Sequence, residues 1–114
     1  MIVCVPVDGA GAVDPRWGRA ARVALATVED GAITDWRVLS VAWDSLHDAG
    51  SERAHHARVA RLLREHRVEV VVAHHMGAGM SRMLNTMGIA VQLGASGDAR
   101  LAARSASPPP KPPQ

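Results

Sequence analysis

Residues 68–80, Val68-Glu69-Val70-Val71-Val72-Ala73-His74-His75-Met76-Gly77-Ala78-Gly79-Met80, join a buried strand to a helix across two imidazoles and two glycines. The run of β-branched residues has the pattern of a central strand covered on both faces. The chain then changes character within one residue. Met80, Met83, Leu84 and Met87 recur at helical spacing, so a helix is predicted over about 78–87, and Gly88 stands where a helix stop is expected. In an open α/β sheet, ligands bind beyond the carboxyl ends of the strands. Glycine lets backbone approach a ligand closely, and a fresh helix offers unpaired N–H groups to an anion. Gly77, Ala78, Gly79 and Met80 are therefore candidate cofactor-binding residues.

Upstream, Ser51 suits an N-cap, with Glu52 in the first turn of a helix predicted over 52–66. Its apolar stripe carries Val59, Leu62 and Leu63, and stepping back along it places His55 and His56 at the buried edge of the first turn. A loop over 42–50 holds Trp43, Asp44 and His47. Earlier still, 21–29 and 32–41 read as strands joined at Asp30-Gly31, a two-residue hairpin signal. Residues 2–7 form the first strand, followed by a loop over 8–19 that contains Gly9, Gly11, Arg16, Trp17 and Arg19. Gly9-Ala10-Gly11 leads into Asp14-Pro15 and not into a helix, which excludes a dinucleotide fingerprint. Downstream, 89–93 is a short last strand and 98–104 a last helical turn or two. The final ten residues, 105–114, are half proline and are expected to form a disordered tail behind a single domain of residues 1–104.

The order is thus β-β-β-α-β-α-β, an α/β fold. Right-handed crossovers place the first turn of the 52–66 helix on the rim where the third and fourth strands end. If the first strand runs parallel beside the fourth, the 8–19 loop reaches that rim as well.

Composition narrows the function. Thirteen basic residues stand against eleven acidic, and the arginines are spread along the chain with no basic stripe for nucleic acid. Cys4 is alone, which forbids an intramolecular disulfide and points to a reducing, cytoplasmic setting. Neither a leader nor an apolar run of about 18 residues is expected, so no membrane role follows.

The opening Ile2-Val3-Cys4-Val5-Pro6-Val7-Asp8, the segment Asp14-Pro15-Arg16-Trp17-Gly18-Arg19-Ala20, the hairpin, and residues 70–94 together resemble the dinitrogenase iron–molybdenum cofactor biosynthesis family. That family comprises nitrogenase cofactor carriers, an assembly-enzyme domain and small stand-alone members. The resemblance implies a ribonuclease H-like motif, a five-stranded mixed sheet flanked by helices. It also implies binding of an iron–sulfur or molybdenum-containing cluster, with a cofactor-assembly or recipient protein as partner. His74-His75, where many members have small residues, and Trp17 before Gly18 depart from the common pattern.

Read as chemistry, His74, His75, His55, His56 and His47 form a candidate ligand set for a cluster or for a single transition-metal ion. Adjacent residues on a strand face opposite ways, and adjacent residues on a helix diverge by about 100°, so each pair is expected to supply one ligand. Arg19, with Arg16, would neutralise a negative cluster. Cys4 is expected to be buried and inert, the Met stripe to be core, and Trp17 and Trp43 to shield the rim or pack.

The expected function is therefore binding and carriage or storage without catalysis. One alternative is a regulatory or interaction protein of the same fold with no cofactor. Another is a ribonuclease H-like nuclease, using carboxylates such as Asp8, Asp14 and Asp44. Pairing of the edge strand would give a homodimer.

Overall fold

The computed structural model describes residues 1–46 and 50–107. The predicted tail lies mostly in 108–114 and His47 in 47–49, so both fall outside the described residues. A five-stranded mixed sheet forms the centre, in the order β3 (Ala32–Ser40), β2 (Arg22–Glu29), β1 (Ile2–Val7), β4 (Val70–Val72), β5 (Ala90–Gln92). β1 is antiparallel to β2 and parallel to β4, with Val3 opposite Val70 and Cys4 opposite Val71. The expected neighbour of the first strand is thus the one found, and the loop after β1 starts at the edge of the sheet where β4 ends.

β1 has two buried faces because helices cover both sides of the sheet. On one side Cys4, Leu25 and Val71 pack against Val59 and Leu63 of α2 (Glu52–Glu65) and against Met80 and Leu84 of α3 (Ala78–Thr86). Met83 and Met87 lean on the same cluster, so the Met stripe is core as expected. On the other side Val3, Val5, Val7, Val70 and Val72 meet Ala99 and Ala103 of α4 (Ala99–Arg104). Small alanines let this short helix lie close to the strands. Each fully buried Val or Leu contributes about 1.5–3 kcal/mol, which is how a core with few aromatics suffices.

Local signals explain the boundaries. Asp30 and Gly31 both have positive φ, 51° and 76°, as a tight hairpin turn requires. The Ser51 side chain accepts a hydrogen bond from the Ala54 N–H at 3.1 Å and starts α2. Gly88, at φ 78°, ends α3 through its bond to the Asn85 carbonyl. Two expectations need correction. The sequence predicts a loop over 42–50, yet α1 (Trp43–Leu46) forms there, because Trp43 turns into the core. The tail was expected from 105, yet Ala106 packs against the α4-side core and the Ser107 N–H donates to the Gln92 side chain.

Among the described residues, no helix is long and apolar enough to cross a membrane.

Candidate functional site

The long connection after β1 divides between the two sides of the sheet. Its first half pairs toward α4: Ala12 bridges to Asp98, and the Val13 N–H donates to the Gly97 carbonyl. Asp8 folds this half on itself, accepting from the Ala10 and Ala12 N–H groups at 2.9 Å. The glycines of that half therefore serve the turn. The second half crosses to the rim, where Trp17–Arg19 makes a single 3-10 turn.

That turn, the start of α2 and the β4–α3 connection enclose an open cleft of about 670 Å³. One wall is Pro15 to Arg19, the second holds Gly50, Glu52, His55 and His56, and the third runs from His75 to Met80. Every residue named above as a cofactor contact, Arg19, Gly77, Ala78, Gly79 and Met80, lines it.

The imidazoles take different places. His55 is 4 % exposed, and both ring nitrogens are engaged. Nε2 lies 2.8 Å from the Gly18 carbonyl and Nδ1 lies 2.9 Å from the Arg58 guanidinium. A carbonyl only accepts and a guanidinium only donates, so the proton sits on Nε2 and Nδ1 is the acceptor. His55 thus ties the 3-10 turn to α2 and, in this arrangement, offers no lone pair to a metal. His56 is half-buried, with Nε2 3.6 Å from Glu52 one turn earlier. His75 lines the cleft and bridges to Arg16, which pins the first wall to the third. His74 leaves the set. Strand alternation turns it the other way, and its Nδ1 lies 3.2 Å from the Ala95 carbonyl.

Of the four candidate imidazoles among the described residues, His74 therefore stands apart. Three reach one cleft, and one of those three is committed to holding the walls together. Among the described residues, no group of three or more His, Cys, Asp or Glu side chains is placed to hold a metal ion. Asp14, 5 % exposed, accepts from the Arg16 backbone N–H at 2.9 Å, so it serves the loop. Cys4 is fully buried, and burial pushes its thiol pKa up, which keeps it protonated and inert.

What the cleft does present is hydrogen-bond donors and positive charge. Arg19 is exposed and makes no ion pair among the described residues, while Arg16 shares its charge with Asp14 at 3.4 Å. The first turn of α3 has no side-chain cap and no acidic residue of its own, so its N–H groups and helix dipole face the cleft. Glu52 is the opposing charge. Gly79 sits close to Glu52 and His56: a Cβ there would come within 3.4 Å of the His56 ring and 3.9 Å of the Glu52 carboxylate. The sequence reading names Glu52 only as a first-turn residue and Arg58 not at all, although their spacing from His56 and His55 on one helix carries the signal.

The His55 tie gives a first prediction. His55→Ala removes the partner of Gly18 and leaves Arg58 half-satisfied, which is expected to cost about 1–3 kcal/mol. Thermal unfolding measures the loss, and faster amide exchange over 16–19 localises it.

Comparison with known proteins follows the same outline. The model of the dinitrogenase iron-molybdenum cofactor family matches residues 1–107. Several solved structures share the fold, and two illustrate it. The apo form of the orange protein from Desulfovibrio gigas superposes with TM-score 0.70 at 22% identity, covering 96% of this chain and 96% of that one. The protein PH0822 gives TM-score 0.69 at 20% identity, over 90% of this chain and 84% of that one. No curated protein matches by sequence.

Proposed function

The chain belongs to the dinitrogenase iron-molybdenum cofactor family, and we propose that it binds an anionic metal–sulfur cluster in the cleft between the Trp17–Arg19 turn and α3, for carriage or storage without catalysis. The observation that carries this reading is the donor set. Arg16 and Arg19 supply charge, and with His56, His75 and the first turn of α3 they supply N–H groups, whereas among the described residues no group of three His, Cys, Asp or Glu side chains is placed to supply metal bonds. Such a set fits an anion held through its outer sulfido or oxo atoms, by charge-assisted hydrogen bonds and the helix dipole. Gly77 and Gly79 keep the floor open to a bulky group: no atom lies within 4 Å of where a Gly77 side chain would begin.

Outer-atom binding also suits a carrier. Breaking metal bonds to release a cluster is slow, while exchanging hydrogen bonds with a recipient or assembly protein is not. The histidines then act as donors more than as ligands, and His74, outside the cleft, has no part.

The test uses tetrathiomolybdate, a soluble molybdenum–sulfide dianion, titrated into anaerobic protein and followed by its visible spectrum. Saturable binding that weakens as salt rises is expected, because screening acts on exposed charges. His75→Ala weakens it and His74→Ala leaves it unchanged. No saturable binding, or equal losses in both variants, would sink the proposal.

A further inference from the structure

Trp17 carries the one buried side-chain nitrogen or oxygen without a hydrogen-bond partner among the described residues, its indole Nε1. Burying a donor unmet is expensive, and folded proteins rarely do so without a purpose for the group. Trp17 is 2 % exposed and belongs to the core on the α2–α3 side, yet it also forms part of the cleft wall. Its ring is held from behind by Trp43, edge-on at 5.2 Å between centroids, and its turn is tied to α2 through the Gly18–His55 bond. In this arrangement the indole N–H meets no acceptor among the described residues. Arg16 and Arg19 flank it in the same wall, and the facing wall is the start of α3, which has no side-chain cap. Arg19, the start of α3 and the Trp17 indole thus share a need for an acceptor-rich anion, while Arg16 is partly met by Asp14.

Building on the cleft reading above, we infer that Trp17 donates its indole N–H to an outer sulfido or oxo atom of the anion held there. The nitrogen is covered, so the bond forms as the Trp17–Arg19 turn shifts on loading. Trp17 is then a specificity-determining residue. It favours an anion that places an acceptor atom deep against the turn over one held only by the arginines at the mouth.

The experiment is a 15N-labelled titration with tetrathiomolybdate, watching the indole signals of the three tryptophans. Trp17→Phe identifies the Trp17 signal. If that variant fails to fold, Trp36→Phe and Trp43→Phe identify it by elimination. The expected result is a downfield move of the Trp17 indole proton, larger than that of the other two. Trp17→Phe should also weaken binding about 10-fold, the worth of one hydrogen bond to a charged acceptor. Wild-type binding with an unmoved Trp17 signal, or undiminished binding by Trp17→Phe, overturns this inference and leaves the cleft reading standing. No binding by the wild type overturns both.

Discussion

An Arg16→Gln/Arg19→Glu double variant is expected to bind tetrathiomolybdate on the order of 100-fold more weakly than the wild-type chain, with its thermal midpoint nearly unchanged. Each arginine lost removes a charge-assisted bond of about 1.5–3 kcal/mol, and partial exposure to water discounts the sum to about 3 kcal/mol. Arg19 bears more of the effect, because no carboxylate among the described residues pairs with it. Arg16 is already partly neutralised by Asp14 at 3.4 Å. Glutamine suits position 16 because the main-chain N–H that satisfies Asp14 is kept. Both side chains are exposed, so the fold does not depend on them. Titration by visible absorbance reads the affinity and calorimetry the stability. Parallel losses of both would mean that the arginines hold the structure and not the anion.

The second large effect is on the core behind the cleft. Trp43→Ala is expected to destabilise the protein by about 3–5 kcal/mol, the range for emptying a buried Trp site. Trp43 is 1 % exposed and stands first by volume among the fully buried side chains. It meets Trp17 at 5.2 Å and His55 at 6.3 Å, so its loss also removes the backing of the 3-10 turn. Against a typical total of about 5–15 kcal/mol, such a change consumes a large fraction of the stability. Trp43→Phe keeps most of the packing and should recover most of the loss. Denaturant unfolding of the pair measures both values. A cost below about 1 kcal/mol for the alanine variant would show that the Trp17–Trp43–His55 stack does not organise the cleft.

The fold could be read from sequence because its signals are local and agree with one another. Asp30-Gly31 sets the hairpin, Ser51 opens α2, Gly88 closes α3, and the valines of β1 and β4 mark strands buried on both sides. The handedness of crossovers then brings the 3-10 turn, α2 and α3 to one rim. Residues 43–46 were not legible, since a four-residue helix has almost no pattern of its own and Trp43 folds it by packing. The site was legible to the level of which segments meet, and Arg19 and Gly77 to Met80 do line the cleft. Which imidazole does what was not legible. His55 reads as a ligand until Gly18 and Arg58, 37 and three residues away, are seen to take both its nitrogens. His74 and His75 differ only in which way the backbone leaves the strand. The unmet indole N–H of Trp17 is a property of packing, and no spacing announces it.

The most direct test of the account is a crystal structure of the tetrathiomolybdate complex, with the metal located by its anomalous scattering. The account predicts a molybdenum peak between the Trp17–Arg19 turn and the first turn of α3, surrounded by N–H donors. No side-chain nitrogen or sulfur would lie within about 2.4 Å, the reach of a direct metal bond. A peak elsewhere on the surface, or an imidazole bonded to the metal, would contradict it.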